Sequence, residues 1–310
     1  MTPASSVLLL TTLTGFGYGL LAWVGILAAF GLLPPAPLFL PIAVLVALAF
    51  ANAGLTASLL HLGHPERAWR AFSQWRSSWL SREGVASLIT FPPALAFAAL
   101  WWALGPDVVA TRAVGLLAAS LGLVTVGCTA MIYASLKPIR QWHNPHTAPD
   151  YLIFAVFSGA VLLAALWALW FGTGEVVAAA AFIAALIAAR AKFAYWRYID
   201  RQKPLVTLAS AIGLTAFGTA RPLDAPHFTE NYILREMGYQ IARKHAVKLR
   251  RIAVGLAFFG PAILVLLAAF GVAPAITATA AALIALIGLL VERWLFFAEA
   301  THVSTIYYGR

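Results

Sequence analysis

Charge is scarce in this sequence. Asp, Glu, Lys and Arg make up 10% of 310 residues, against 62% hydrophobic ones, where a soluble domain carries about 25% charged residues. That deficit excludes a water-soluble globular protein. Cysteine is scarcer still: Cys128 stands alone, so no disulfide can form within the chain. A cysteine-ligated iron–sulfur cluster needs several thiolates and has no ligand set here. Cys128 lies inside an apolar run and reads as a small packing residue. The amino terminus lacks a basic stretch and a clear cleavage site, so it reads as a first membrane helix and not as a cleaved signal. Alternating segments of about ten residues, the mark of an outer-membrane barrel, are missing too.

What fills the chain is long apolar runs. There are eight, at about 6–32, 38–62, 83–104, 112–136, 150–172, 176–198, 252–271 and 276–298, near or above the roughly 20 residues that cross a hydrocarbon core. In lipid every backbone polar group must be satisfied internally, which makes these runs helices. The expected fold is an all-α integral membrane protein, a bundle of eight transmembrane helices forming one domain over 1–310. Four connections are short breakers of turn residues, such as Pro34-Pro35-Ala36-Pro37 and Gly105-Pro106-Asp107. The others are long and basic.

Alternation of the spans puts every Lys and Arg except Arg112 on one face, out of 21 in all. The positive-inside rule assigns that face to the cytoplasm, with both termini on it, and the protein is expected in a bacterial inner membrane. The net charge of +10 is partly this topology signal and partly attraction to anionic lipid headgroups or a docking surface. The charges hug span ends, which argues against nucleic acid. A large basic loop is expected at about 199–251. Within it, 205–220 is too short and interrupted for a ninth span and reads as re-entrant or surface-lying. Ile233, Met237 and Ile241 mark a helix over 229–251, either resting on lipid or serving as a platform for a partner.

No ionisable residue falls near the centre of a span, which argues against an ion-coupled transporter. Arg190 and Lys192 lie deepest and are expected to snorkel to the basic edge. All seven histidines, at 61, 64, 143, 146, 227, 245 and 302, fall on the basic face. A haem held by His61 and a distant histidine stays open. His143 and His146 could ligate a metal by spacing but have no obvious third ligand, so no metal site is assigned.

The densest polar chemistry runs from His61-Leu62-Gly63-His64-Pro65-Glu66-Arg67 to Ser81-Arg82-Glu83. His61 closes the second span and Glu83 opens the third, so both reach one edge of the bilayer. Gly63 leaves room for a ring, and Arg67 can pair with Glu83 or hold a carbonyl oxygen. Histidine hydrogen-bonds a quinone carbonyl and titrates near neutral pH, and a carboxylate at a partly dry edge can pass protons. The set suits a quinone. It also suits a polar loop that anchors two helices and binds headgroups. Trp69, Trp75 and Trp79 fit an ordinary interfacial aromatic belt, while His64 and Trp69 are possible additions to a pocket. Thr11, Thr12 and Thr14 can line a pocket or simply pack helices.

The His61–Ala68 segment followed by Leu80-Ser81-Arg82-Glu83 resembles the signature of the dimethyl sulfoxide reductase membrane-anchor family, and the resemblance extends over the eight-span plan. Arg221-Pro222-Leu223-Asp224-Ala225-Pro226-His227, Arg235-Glu236-Met237-Gly238-Tyr239 and the stretch 292–300 are similar to anchors of quinone-linked sulfite dehydrogenases that face the cytoplasm. The resemblance implies a quinone (ubiquinone or menaquinone) bound without haem, at His61, Gly63, Arg67 and Glu83. It also implies partners on the basic face: an iron–sulfur electron-transfer subunit and a molybdopterin catalytic subunit. His64 and Pro65 depart from the best-known reductase pattern. The expected role is a membrane anchor with no catalytic residue and no activity of its own, passing electrons from sulfite oxidation to quinone. The rivals are a quinol-oxidising reductase anchor and a purely structural scaffold.

Overall fold

A computed structural model describes residues 3–60, 62–202, 206–224 and 245–308. Among them the eight apolar runs form eight helices: α1 Ser5–Ala29, α2 Phe39–Leu59, α3 Trp79–Leu104, α4 Val109–Ala134, α5 Thr147–Phe171, α6 Glu175–Asp200, α7 Ala246–Ala269 and α8 Pro274–Ala298. With 21 to 26 residues each, they reach roughly 31–39 Å, enough to cross a bilayer core. This is a multi-pass membrane protein. Short links between helices turn on Gly105, Gly172 and Gly271, all at positive φ, where a side chain would strain the backbone.

Most helix ends lie within about three residues of the sequence expectation; two starts differ by more, and one matters. Helix α3 begins at Trp79, about one turn before the apolar run, because Ser78 caps it by accepting the Ser81 amide at 3.4 Å. Glu83 therefore sits inside a helix and not at its mouth. Helix α7 likewise starts at Ala246, well before its apolar run. The segment 206–224 holds one helical turn, Leu208–Ala211, and a 3-10 turn, Thr215–Phe217. Ile212, Leu214 and Phe217 are exposed and not packed within the bundle. The expected helix from 229 falls mostly on 225–244, outside the described residues.

Helix α1 is the axis of the bundle, packing along α2, α4 and α5 and touching α8. Without a hydrophobic driving force between helices in lipid, close backbone approach supplies much of the association. Gly19 of α1 and Gly159 of α5 meet backbone to backbone, and a Cβ on either would collide with the other helix's main chain. Gly159→Val is therefore expected to abolish recovery of a monodisperse detergent-extracted protein, readable by size-exclusion chromatography. A wild-type elution profile would contradict this packing.

Helix α7 widens into a π-helical segment at Gly255–Phe259, where Gly288 of α8 presses on the backbone of Leu256 and Ala257. The following turn of α8 carries Glu292 and Arg293. At the basic end, the Arg250 guanidinium bridges Asp200 at 2.7 and 3.0 Å and Glu299 at 2.9 and 3.1 Å. That clamp ties together the ends of α6, α7 and α8. The carboxyl tail returns beneath the α4–α5 link, with Val303 N–H donating to the Pro138 carbonyl at 3.1 Å.

Candidate functional site

The polar motif between α2 and α3 divides into an outer and an inner half. Its outer half is a 3-10 segment, Pro65–Gln74, with no buried residue. Four contacts fasten this segment and the two residues after it to the start of α3. The Ser81 hydroxyl donates to the Ala71 carbonyl. Arg82 donates from Nε to the Trp75 carbonyl at 2.9 Å and from Nη2 to the Arg76 carbonyl at 2.7 Å. Phe72 packs on Gly84, where a Cβ would press its ring. Ser81 and Arg82 thus shape the loop, and Arg82 also lies over the Trp79 ring at 4.2 Å.

Glu83 is the next residue, and it turns the other way. It is 3% exposed and accepts a hydrogen bond from Thr129 Oγ1 of α4 at 2.6 Å. One turn on, Ser87 accepts from the Tyr18 hydroxyl of α1 at 3.1 Å. Further along, Thr90 and Thr125 pair their hydroxyls at 3.3 Å. Glu83, Ser87 and Thr90 recur at helical spacing on α3, facing Thr125 and Thr129 at the same spacing on α4. Sequence reasoning missed this polar stripe, though its i, i+4, i+7 pattern is there to be read.

The other candidate residues stay outside. Gly63 is exposed, with open space around it. His64 Nδ1 lies 3.0 Å from Glu66, and Arg67 Nε lies 3.7 Å from the same carboxylate, with all three side chains exposed. Trp69 is exposed beside the Arg70 guanidinium at 5.6 Å. The expected Arg67–Glu83 pair is not formed, because the cap at Ser78 rotates Glu83 into the bundle while the 3-10 segment keeps Arg67 above it. His61 lies outside the described residues.

A second polar centre lies between α5, α6 and α8. Lys192 does not snorkel as expected. It is 1% exposed and forms an ion pair with Glu292, whose other oxygen meets Arg293 Nε at 2.9 Å. Lys192 stands over the Tyr195 ring at 4.1 Å, and Arg293 over Tyr151 at 4.1 Å. Asp150 of α5 is buried and interacts electrostatically with all three. The Lys192 ammonium turns inward because a carboxylate waits there, and pairing offsets the cost of burying both charges.

A larger cavity lies elsewhere, an apolar groove of about 470 Å³ between Trp23 and residues of α5 and α6. Its one polar group, the Trp23 indole N–H, is committed to the Val156 carbonyl at 2.8 Å. It offers a polar ring nothing to bind. Among the described residues, no group of three or more His, Cys, Asp or Glu side chains is placed to hold a metal ion.

Comparison with known proteins adds the family context. The sequence model of the family described as DMSO reductase anchor subunit (DmsC) matches residues 7–299. The chain is 35% identical to a sulfite dehydrogenase subunit from Allochromatium vinosum over 326 aligned positions, covering 99% of each chain. It is 31% identical to the anaerobic dimethyl sulfoxide reductase chain YnfH of Escherichia coli over 117 positions, covering 36% of this chain and 39% of that one. No solved structure matches.

Proposed function

The chain belongs to the DMSO reductase anchor subunit (DmsC) family, and from that premise we propose that it binds a quinone and passes to it electrons released by sulfite oxidation. Membership makes it a membrane-anchor subunit of an oxidoreductase complex of the dimethyl sulfoxide reductase or sulfite dehydrogenase type. The finer reading rests on one observation, the buried Glu83 carboxylate on Thr129.

A quinone takes up two electrons and two protons to become a quinol, so its site needs a group that changes protonation without penalty. Thr129 Oγ1 lies 2.6 Å from Glu83 and 3.1 Å from the Thr125 carbonyl. When Glu83 is ionised, Thr129 donates to it. When Glu83 is protonated, its own O–H can donate to Thr129, which then donates to Thr125. Thr129 thus serves both states of Glu83, and the carboxylate can load or release a proton without losing this hydrogen bond.

In this reading His61 holds a quinone carbonyl and Glu83 relays the proton. Gly63 leaves the ring room, Arg67 faces it, and His64 and Trp69 line the rim. The basic face is cytoplasmic in a bacterial inner membrane, with both termini on it. An iron–sulfur electron-transfer subunit and a molybdopterin catalytic subunit dock there and supply the electrons. Electrons and protons then enter from one side, so the step is electroneutral and this chain pumps nothing. Sulfite is preferred over an oxide acceptor because the sulfite dehydrogenase relative matches end to end, whereas the reductase relative matches about a third of the chain.

The test is to purify the complex through this protein, identify its partners, and assay it both ways. Sulfite-dependent quinone reduction is expected. Quinol oxidation by dimethyl sulfoxide without sulfite activity would reverse the assigned direction. Turnover insensitive to every quinone analogue would leave only a structural scaffold.

A further inference from the structure

A small chamber lies among α1, α4, α5 and α8, between the two polar centres. Its volume is about 20 Å³, room for one water, which needs roughly 10–15 Å³. Its polar lining includes Thr12, Thr129, Tyr151, Ser158 and Arg293, while the nearby Thr11 and Thr14 hydroxyls donate to carbonyls of their own helix. Thr129 is the residue that holds Glu83, and Arg293 is the end of the Lys192–Glu292–Arg293 cluster nearest the chamber. The Thr12 side chain is 4% exposed, and its hydroxyl, like that of Tyr151, has no hydrogen-bond partner among the described residues. An unpartnered buried hydroxyl on a residue that lines a chamber of this size calls for a water, since leaving it unpaired costs about 1–3 kcal/mol.

The chamber also meets a need at Glu83. Among the described residues its carboxylate is bonded to a single neutral hydroxyl, too little to hold an anion away from solvent. Arg293 carries five N–H donors, and its Nε is committed to Glu292. Tyr133 and Tyr151, stacked at 5.9 Å, each interact electrostatically with both Glu83 and Arg293, so the two charges share one neighbourhood.

We propose that the chamber binds a water linking Thr12, Thr129 and Arg293, and that through it Arg293 is the counter-charge against which Glu83 exchanges its proton. Arg293 is then a positioning residue, held in place by Glu292 and Lys192. The inference rests on Glu83 carrying the proton, as read above.

The test uses the intact complex. Thr12→Val removes the Thr12 hydroxyl and alters no charge, and Thr12→Ser keeps it. Thr12→Val is expected to slow quinone-coupled turnover roughly tenfold, the worth of one hydrogen bond in the transition state, and to enlarge its solvent isotope effect. Turnover with an artificial acceptor should stay unchanged, and Thr12→Ser should restore the wild-type values. A structure of the complex that resolves waters should show one within hydrogen-bonding distance of Thr12 Oγ1 and the Arg293 guanidinium. A chamber without a water, or full coupling in Thr12→Val while Glu83→Gln has lost it, overturns the inference and leaves the relay standing. Full coupling in Glu83→Gln overturns the relay and the inference together.

Discussion

Glu83→Gln is expected to lower quinone-coupled turnover of the complex by about 10²–10⁴-fold, the range for loss of a positioned acid–base group. Glutamine keeps the shape of the side chain, and its carbonyl can still accept from Thr129, so packing in the bundle should survive. It cannot carry a proton. The partner subunits should therefore still oxidise their substrate with an artificial acceptor at the wild-type rate, and the defect should appear only when a quinone is the acceptor. His61→Ala should produce the same split. Steady-state assays with the two acceptors, side by side on the same preparation, read the ratio directly. Normal coupling in both variants would remove His61 and Glu83 from the site. A matched loss with both acceptors would point instead to failed assembly.

The second large effect is an asymmetry within the buried charge cluster. Glu292→Leu leaves Lys192 and Arg293 as neighbouring cations stripped of the carboxylate they share. Breaking a buried pair in this way costs about 3–5 kcal/mol, a large share of the roughly 5–15 kcal/mol by which a folded protein is stable. Lys192→Met does something different. It removes one buried charge and leaves the Glu292–Arg293 pair intact, while losing the ring contacts with Tyr195 and Trp196. Methionine is of similar length and suits the apolar surroundings, so the expected cost is about 1 kcal/mol or less. Thermal unfolding of the detergent-extracted protein should show a midpoint several degrees lower for Glu292→Leu than for Lys192→Met. Equal shifts would mean that the cluster does not behave as one carboxylate shared between two cations.

Much of the fold was legible because lipid leaves the backbone few options. A run of some twenty apolar residues has to become a helix, and glycine and proline mark where it must turn. The site was legible only in part. The motif from His61 to Glu83 stood out because polar residues are rare in this chain. Its internal division did not show, because hydropathy says nothing about the cap at Ser78, and that cap moves Glu83 from the helix mouth into the bundle. The partners of Glu83 and Lys192 are 46 and 100 residues away. Such pairings depend on the rotational phase of packed helices, which the small-residue contact at Gly19 and Gly159 helps to set.

Composition and periodicity alone determined that the chain crosses a membrane eight times, that its basic residues gather on one face, and that its polar chemistry concentrates after the second span. These are local properties, fixed by how each stretch partitions between water and lipid. Only the tertiary structure decided that Arg67 stays outside, that Glu83 rests on Thr129, and that Lys192 reaches Glu292 and not the membrane edge. Those outcomes depend on which helix faces which, and a buried charge takes the nearest opposite charge or hydroxyl that packing brings to it.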